Sequence, residues 1–232
     1  MRWLLALLVA VLCAAPLGAQ DKEAERLQKA TTVVEEVMGT PEKGIPSDLL
    51  NRAVCVGVIP SQKKVALGIG GTFGRGALVC RRGGNGAWGG PSLFTVGGAN
   101  VGFQLGGQAT DFVLMVMNPD GAKKLLQSKT KLGADASVAG GPVGRTAQGA
   151  TDLQMRAEIL TYSRSRGLFA GVSLDGQVVK QDHDGNERLY GRKVDPKDIL
   201  FTGSVGVPAG ARPLVNALQK FSPRGGQPFK EK

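Results

Sequence analysis

Arg164 and Arg166 stand two residues apart, so in extended chain their side chains project to one face. Two planar guanidiniums held side by side can fork onto phosphate oxygens, although the same pair would serve as the solvated rim of a turn. Arg75, Arg81 and Arg82 add guanidiniums within a glycine-rich stretch, and with the first pair they form the expected set for binding lipid phosphate. Trp88 lies between Gly86-Ala87 and Gly89-Gly90-Pro91, which suits either an exposed aromatic that touches a membrane or a core anchor for its loop. Lys123 and Lys124 are adjacent and precede Leu125 and Leu126, so on a helix the leucines face the core and the lysines face water.

Other chemistries find little to use. The run Gly68-Ile69-Gly70-Gly71-Thr72-Phe73-Gly74-Arg75-Gly76 has the wrong spacing for a dinucleotide fingerprint and lacks the lysine of a phosphate loop. It reads as a tight turn between strands. Asp182-His183-Asp184-Gly185-Asn186-Glu187 imitates a calcium loop, but its sixth position is Glu187 and its twelfth is Lys193, so a polar hairpin turn is expected. His183 is the single histidine, and no Gly-x-Ser-x-Gly elbow accompanies it. No metal, no cofactor and no catalytic residue is therefore expected, and the chain does not read as an enzyme.

The elements that must position these residues follow from periodicity. Residues 22–38 carry Ala24, Leu27, Ala30, Val34 and Val37 at helical spacing, a stripe that packs on the core. A second helix spans 47–52. Strand-like runs occupy 53–59, 64–69, 76–81, 93–96 and 101–105, with a central strand at 111–117 and further strands at 152–155, 158–163, 169–174 and 177–181. Helices are expected at 120–129, 195–201 and 212–221. Tyr162 and Phe169 read as packing residues. Helices followed by many strands give α+β: a largely antiparallel, strongly curved glycine-rich sheet packed with an N-terminal helix and a few short helices.

Arg2, the apolar run 3–15 and the small residues before Gln20 read as a signal peptide over 1–19, with cleavage ahead of Gln20. Cys13 follows Ala10-Val11-Leu12, a poor lead-in for lipidation. A single domain over 20–221 and a flexible basic tail over 222–232 would follow. Cys55 and Cys80 each lie in an apolar run and are compatible with a disulfide or with two buried thiols. The chain carries a formal charge of +10, which implies an anionic surface as partner, and aromatics are 5% of it, too thin for base stacking, so nucleic acid is not expected.

The stretch Tyr162-Ser163-Arg164-Ser165-Arg166-Gly167-Leu168-Phe169-Ala170-Gly171-Val172-Ser173-Leu174-Asp175-Gly176 closely resembles the signature of the SYLF lipid-binding family. Ile45-Pro46, residues 70–76, Trp88 with Pro91, Gly106 to Asp111, residues 140–145, and Asn186 with Tyr190-Gly191 match the same pattern in order, over roughly residues 24–203. The resemblance implies a non-catalytic module that binds phospholipid, phosphoinositides in eukaryotic members, with actin-related roles in some. With the signal peptide it leads to the expectation of a bacterial exported member, periplasmic or secreted and peripheral on a membrane, that binds anionic phospholipid at the cell envelope. The alternative is a structural or protein-interaction module of the envelope without specific lipid binding. Actin is not expected as a partner of an exported chain.

Overall fold

The structure, a computed structural model, describes residues 17–39, 44–67, 69–101, 108–144, 151–165, 168–223 and 225. Most of the expected signal peptide, residues 1–16, lies outside them, as do Arg166 and residues 226–232 of the expected tail.

Helix α1 runs over Leu17–Met38, starting five residues before the apolar stripe suggested. Its inner face is that stripe: Leu27, Ala30, Val33, Val34 and Val37 are all buried. Recurrence at three- and four-residue steps aligns them on one side, and each large aliphatic among them is worth about 1.5–3 kcal/mol once removed from water. Lys29 pairs with Glu25 one turn back at 2.6 Å on the solvent side. Gly39 closes the helix, its N–H donating to the Glu35 carbonyl at 2.8 Å.

Among the described residues nine strands form one sheet: β1 Cys55–Leu67, β2 Ile69–Arg81, β3 Trp88–Val101, β4 Gln108–Val116, β5 Thr130–Lys131, β6 Val138–Gly140, β7 Ile159–Ser165, β8 Leu168–Gly171 and β9 Val178–Gln181. Their order is β5-β9-β3-β2-β1-β4-β7-β6, with β8 beside β7. Every pairing of these strands is antiparallel except β6 with β7. The sheet curls into a half-barrel, as the α+β expectation had it.

Several boundaries differ from that expectation. Residues 55–59 and 64–67 are not parts of two strands but of one, β1, interrupted by a bulge at Pro60-Ser61 where the register shifts by one against both neighbours, while Ile69 already belongs to β2. Ser61 has φ 52, and its N–H donates to Asp111 Oδ1 at 2.8 Å. The glycine run at 68–76 is not a turn either: from Ile69 onward it is strand β2. Gly76 must be glycine there, because a Cβ would stand 2.5 Å from Phe94 Cζ and 2.7 Å from the Val58 carbonyl oxygen. Residues 152–155 form helix α4 (Asp152–Arg156) instead of a strand, opened by a reciprocal cap between Thr151 and Gln154. The expected hairpin turn at Asp182 is helix α5 (His183–Tyr190), with the Asp182 carboxylate accepting from the Gly185 N–H at 2.9 Å and Gly191 stopping it at φ 69.

The remaining helices, numbered in chain order, are α2 Ser47–Arg52, α3 Pro119–Leu125 and α6 Arg212–Phe221, with a π-helical turn at Asp198–Thr202. Alternation along the strands divides the core in two. On the helix side Val56, Val58, Ala77, Val79, Val113 and Met115 pack with α1 and with Leu214 and Leu218 of α6. On the other side Leu78, Phe94, Leu114 and Val116 pack with Leu125, Leu174, Ile199 and Leu200. Cys55 and Cys80 pair across β1 and β2 in this second core and form a disulfide.

Candidate functional site

Beyond the bulge, β1 and β2 extend as a ribbon past the end of the helix-side core. Lys63 pairs in register with Phe73, and Arg75 follows two residues on, so the three share the side facing α1. Between this ribbon and the first turns of α1 lies a cleft of about 460 Å³. Its floor is Pro60 and Ser61. Lys22, Glu25, Arg26 and Lys29 form one wall, and Lys63, Phe73 and Arg75 form the other. Phe73 is 53% exposed, the Arg75 guanidinium lying 5.9 Å from its ring centroid. An aromatic so exposed on an otherwise polar ribbon has its apolar area available to a partner.

Electrostatically the cleft is positive. Lys29 is offset by Glu25. Arg26 is nearly buried and belongs to a network that fixes α1 to α5: it meets Glu23 at 2.8 Å and Asp182 at 3.0 Å, while Arg188 donates to Glu23 at 2.7 Å. Burial pushes the Asp182 carboxyl up, but the Gly185 N–H, Arg26 and Arg188 outweigh it and hold the group below the usual carboxylate range. Lys22, Lys63 and Arg75 have no carboxylate partner among the described residues. Three uncompensated cations around an exposed phenyl ring can receive a carboxylate or phosphate group that carries apolar surface with it.

The arginines expected at the site are thus separated. Arg75 lines the cleft. Arg164 is engaged on the same side of the sheet, ion-paired with Glu36 of α1 and with Asp111 at 3.4 Å, and so ties β7 to the helix. Its expected companion Arg166 lies outside the described residues. Arg82 is exposed on a turn at Arg82–Gly84 and does not line the cleft.

Arg81 is a correction, and of the two readings of Trp88 the core anchor holds and the membrane contact does not. Arg81 is fully buried, its guanidinium donating to the carbonyls of Ala53, Gly86 and Ser222 and to Ser222 Oγ, and lying 4.0 Å from the Trp88 ring centroid. Burial pulls its pKa down to about 10. Trp88 is 2% exposed and donates from Nε1 to the Ser222 carbonyl at 2.9 Å. Neither can meet a lipid phosphate or a membrane from that position; together they latch the end of α6 onto the sheet. Ser222, expected to begin a loose tail, is itself buried in this latch. Lys124 is likewise not free, holding Glu158 at 2.7 Å. Tyr162 is buried and Phe169 packs at the margin of the helix-side core, as expected.

Phe73 is a site residue that the sequence reading missed: with the glycine run taken as a turn nothing singles it out, whereas in a strand it shares one face with Arg75 two residues on. Lys22 and Lys63 have no such signal, being ordinary lysines that the docking of α1 makes neighbours. Among the described residues no group of three or more His, Cys, Asp or Glu could hold a metal ion, and no helix is long and apolar enough to cross a membrane.

Residues 97–221 match a family, Ysc84, described as "Las17-binding protein actin regulator". The chain is 33% identical over 205 residues to an SH3 domain-containing protein of Schizosaccharomyces pombe, covering 87% of this chain and 47% of that protein. It is 32% identical over 206 residues to LAS seventeen-binding protein 3 of Saccharomyces cerevisiae, covering 88% and 44%. To SH3 domain-containing YSC84-like protein 1 of Bos taurus the identity is 31% over 208 residues, covering 89% and 60%. The chain thus spans about half the length of the first two of these relatives.

These findings overturn part of the sequence expectation. The relatives are eukaryotic, which corrects the assignment to a bacterial exported, periplasmic or secreted protein of the cell envelope. The description of the matched family as an actin regulator corrects the exclusion of actin. The chain is a non-catalytic binding module, with a fold suited to a lipid or protein surface.

Proposed function

The chain belongs to the Ysc84 family, and from that membership we propose that it is an interaction module that docks an acidic protein surface, in an actin-regulatory setting, through the cleft between α1 and the β1–β2 ribbon. The observation that carries this reading is the placing of Lys22, Lys63 and Arg75 around the exposed Phe73 with no carboxylate partner among the described residues, Glu25 being paired with Lys29. Charges at such a rim steer association and select acidic partners, while the phenyl ring adds apolar contact that a diffuse positive field lacks. The family's description supplies the class of partner.

Co-pelleting with filamentous actin tests it. The parent chain is expected to pellet with filaments at about 50 mM salt and to lose most of that binding by about 300 mM, where exposed charges are screened within a few ångströms. Lys63→Glu with Arg75→Glu should weaken binding at least tenfold, since two steering charges are reversed. A parent that stays in the supernatant at low salt, or a charge-reversed variant that pellets equally, overturns the proposal. The same cation and aromatic set supports a second reading, an anionic lipid surface. Retention on phosphatidylserine vesicles but not on filaments, lost in the same variant, would select it.

A further inference from the structure

The ribbon that lines the cleft has a second side, and its chemistry is different. Gln62 and Lys64 of β1, Thr72 of β2, and Thr110 and Phe112 of β4 point there by alternation, each beside the next across the ladder. Ser163 and Ser165 of β7 extend the row, since Ser163 stands opposite Phe112. The chain after β8 runs alongside them, bringing Leu174 and Gln177, and borders an open cavity of about 350 Å³. Sites for small molecules occupy about 300–1,000 Å³.

We infer that this cavity binds a small polyhydroxylated ligand with a single anionic substituent, that is, a sugar acid or a sugar phosphate. The site lies on the face away from the cleft of the proposed function and stands or falls independently of it. Its hydrogen-bonding capacity is only partly spent: Thr72 Oγ1 donates to the Gly98 carbonyl at 3.4 Å and Ser173 Oγ donates to Asp175. The hydroxyls of Thr110, Ser163 and Ser165 make no side-chain hydrogen bond among the described residues. Gln62 is 3% exposed; its Nε2 donates to Gln177 Oε1 at 2.7 Å, and its own Oε1 has no partner. Turning both amides round leaves the other end of Gln62 unpaired instead. That oxygen is sealed from solvent, so a ligand in the cavity meets the free hydroxyls and Lys64 rather than this atom. Hydroxyls suit this best, because each both donates and accepts and can match amide and hydroxyl groups alike.

The charge follows from the lining. Among the described residues no carboxylate lines the cavity and Lys64 is the one charged residue that does, so one anionic substituent is matched and a second is not. Phe112 and Leu174 supply an apolar wall against which the C–H face of a sugar ring packs. An acyl chain would leave the hydroxyls unpaired, and is disfavoured for that reason.

The test is an amide NMR titration of the full chain with glucuronate and with glucose 6-phosphate, with glucose, inorganic phosphate and acetate as controls. The side-chain amide signals of Gln62 and Gln177 should shift saturably with at least one of the two acids, and less with every control. Thr110→Val with Ser163→Ala, which nearly conserves volume, should weaken that binding roughly tenfold. Lys64→Gln should abolish the preference for the acid over glucose, whereas Lys123→Gln, on an exposed helix, should change nothing. Absence of saturable shifts up to about 20 mM overturns the proposal and leaves a water-filled cavity. So does glucose binding as well as both acids in the parent, shifts produced equally by phosphate or acetate alone, or acid binding unchanged by the Thr110 and Ser163 substitutions in a folded protein.

Discussion

Arg81 is a buried cation whose hydrogen-bond partners are neutral carbonyls and one hydroxyl, and it keeps its charge because four donated bonds and the face of Trp88 replace water. Removing the fork while keeping the charge is therefore costly. Arg81→Lys should destabilise the fold by about 2–4 kcal/mol, read as a lower urea midpoint with Trp88 fluorescence shifting in step as the ring loses its cover. An unchanged midpoint would show that the latch does not stabilise the end of α6. This residue also shows where the sequence stops being informative. Its partner Ser222 lies 141 residues away, so nothing local to Arg81 distinguishes a guanidinium that locks a helix from one that meets a phosphate. Arg75, by contrast, lines the cleft beside Phe73, two residues off on the same face of the strand.

At the scale of elements, the long helix α1 and the terminal helix α6 were legible because several turns repeat one apolar face. Helices α4 and α5 were not, since α4 buries no residue and α5 buries Gly185 and Asn186, so neither carries an apolar stripe. Their caps are the better signal: Thr151 with Gln154, and Asp182 with Gly185, mark helix starts by local hydrogen bonding alone. The pairing of Cys55 with Cys80 was left open by sequence and is decided by register, which sets the two opposite each other on adjacent strands. It closes a loop with a sequence separation of 25, so by chain entropy it should contribute about 3 kcal/mol. Cys55→Ala with Cys80→Ala, or reduction under non-denaturing conditions, should lower the urea midpoint accordingly; a midpoint that does not move would mean that the second core alone holds β1 to β2.

For the whole molecule, the attachment of α1 makes stability depend on acid. Asp182 is depressed below its unfolded value near 3.9, so it contributes stability above about pH 4 that is lost as pH falls through its native value. Glu158, raised by burial but held down more strongly by Lys124 and Ser137, adds to the same limb. Asp182→Asn should therefore be less stable than the parent at pH 7, and the two urea midpoints should converge as pH falls below 4. Parallel midpoints across that range would remove Asp182 from the acid response. The two sides of the ribbon are likewise a property of the whole sheet, and they are set in phase by one residue. Because Ser61 takes φ 52 and drops out of the alternation, Lys63 faces the helix while Gln62 and Lys64 face away. Were Ser61 to adopt ordinary extended backbone, the residues beyond it would exchange sides: the cleft would receive an amide, and the hydroxyl-lined cavity would receive Lys63. One dihedral angle thus acts on this strand as a frame does on a message, deciding which of two surfaces the same letters spell.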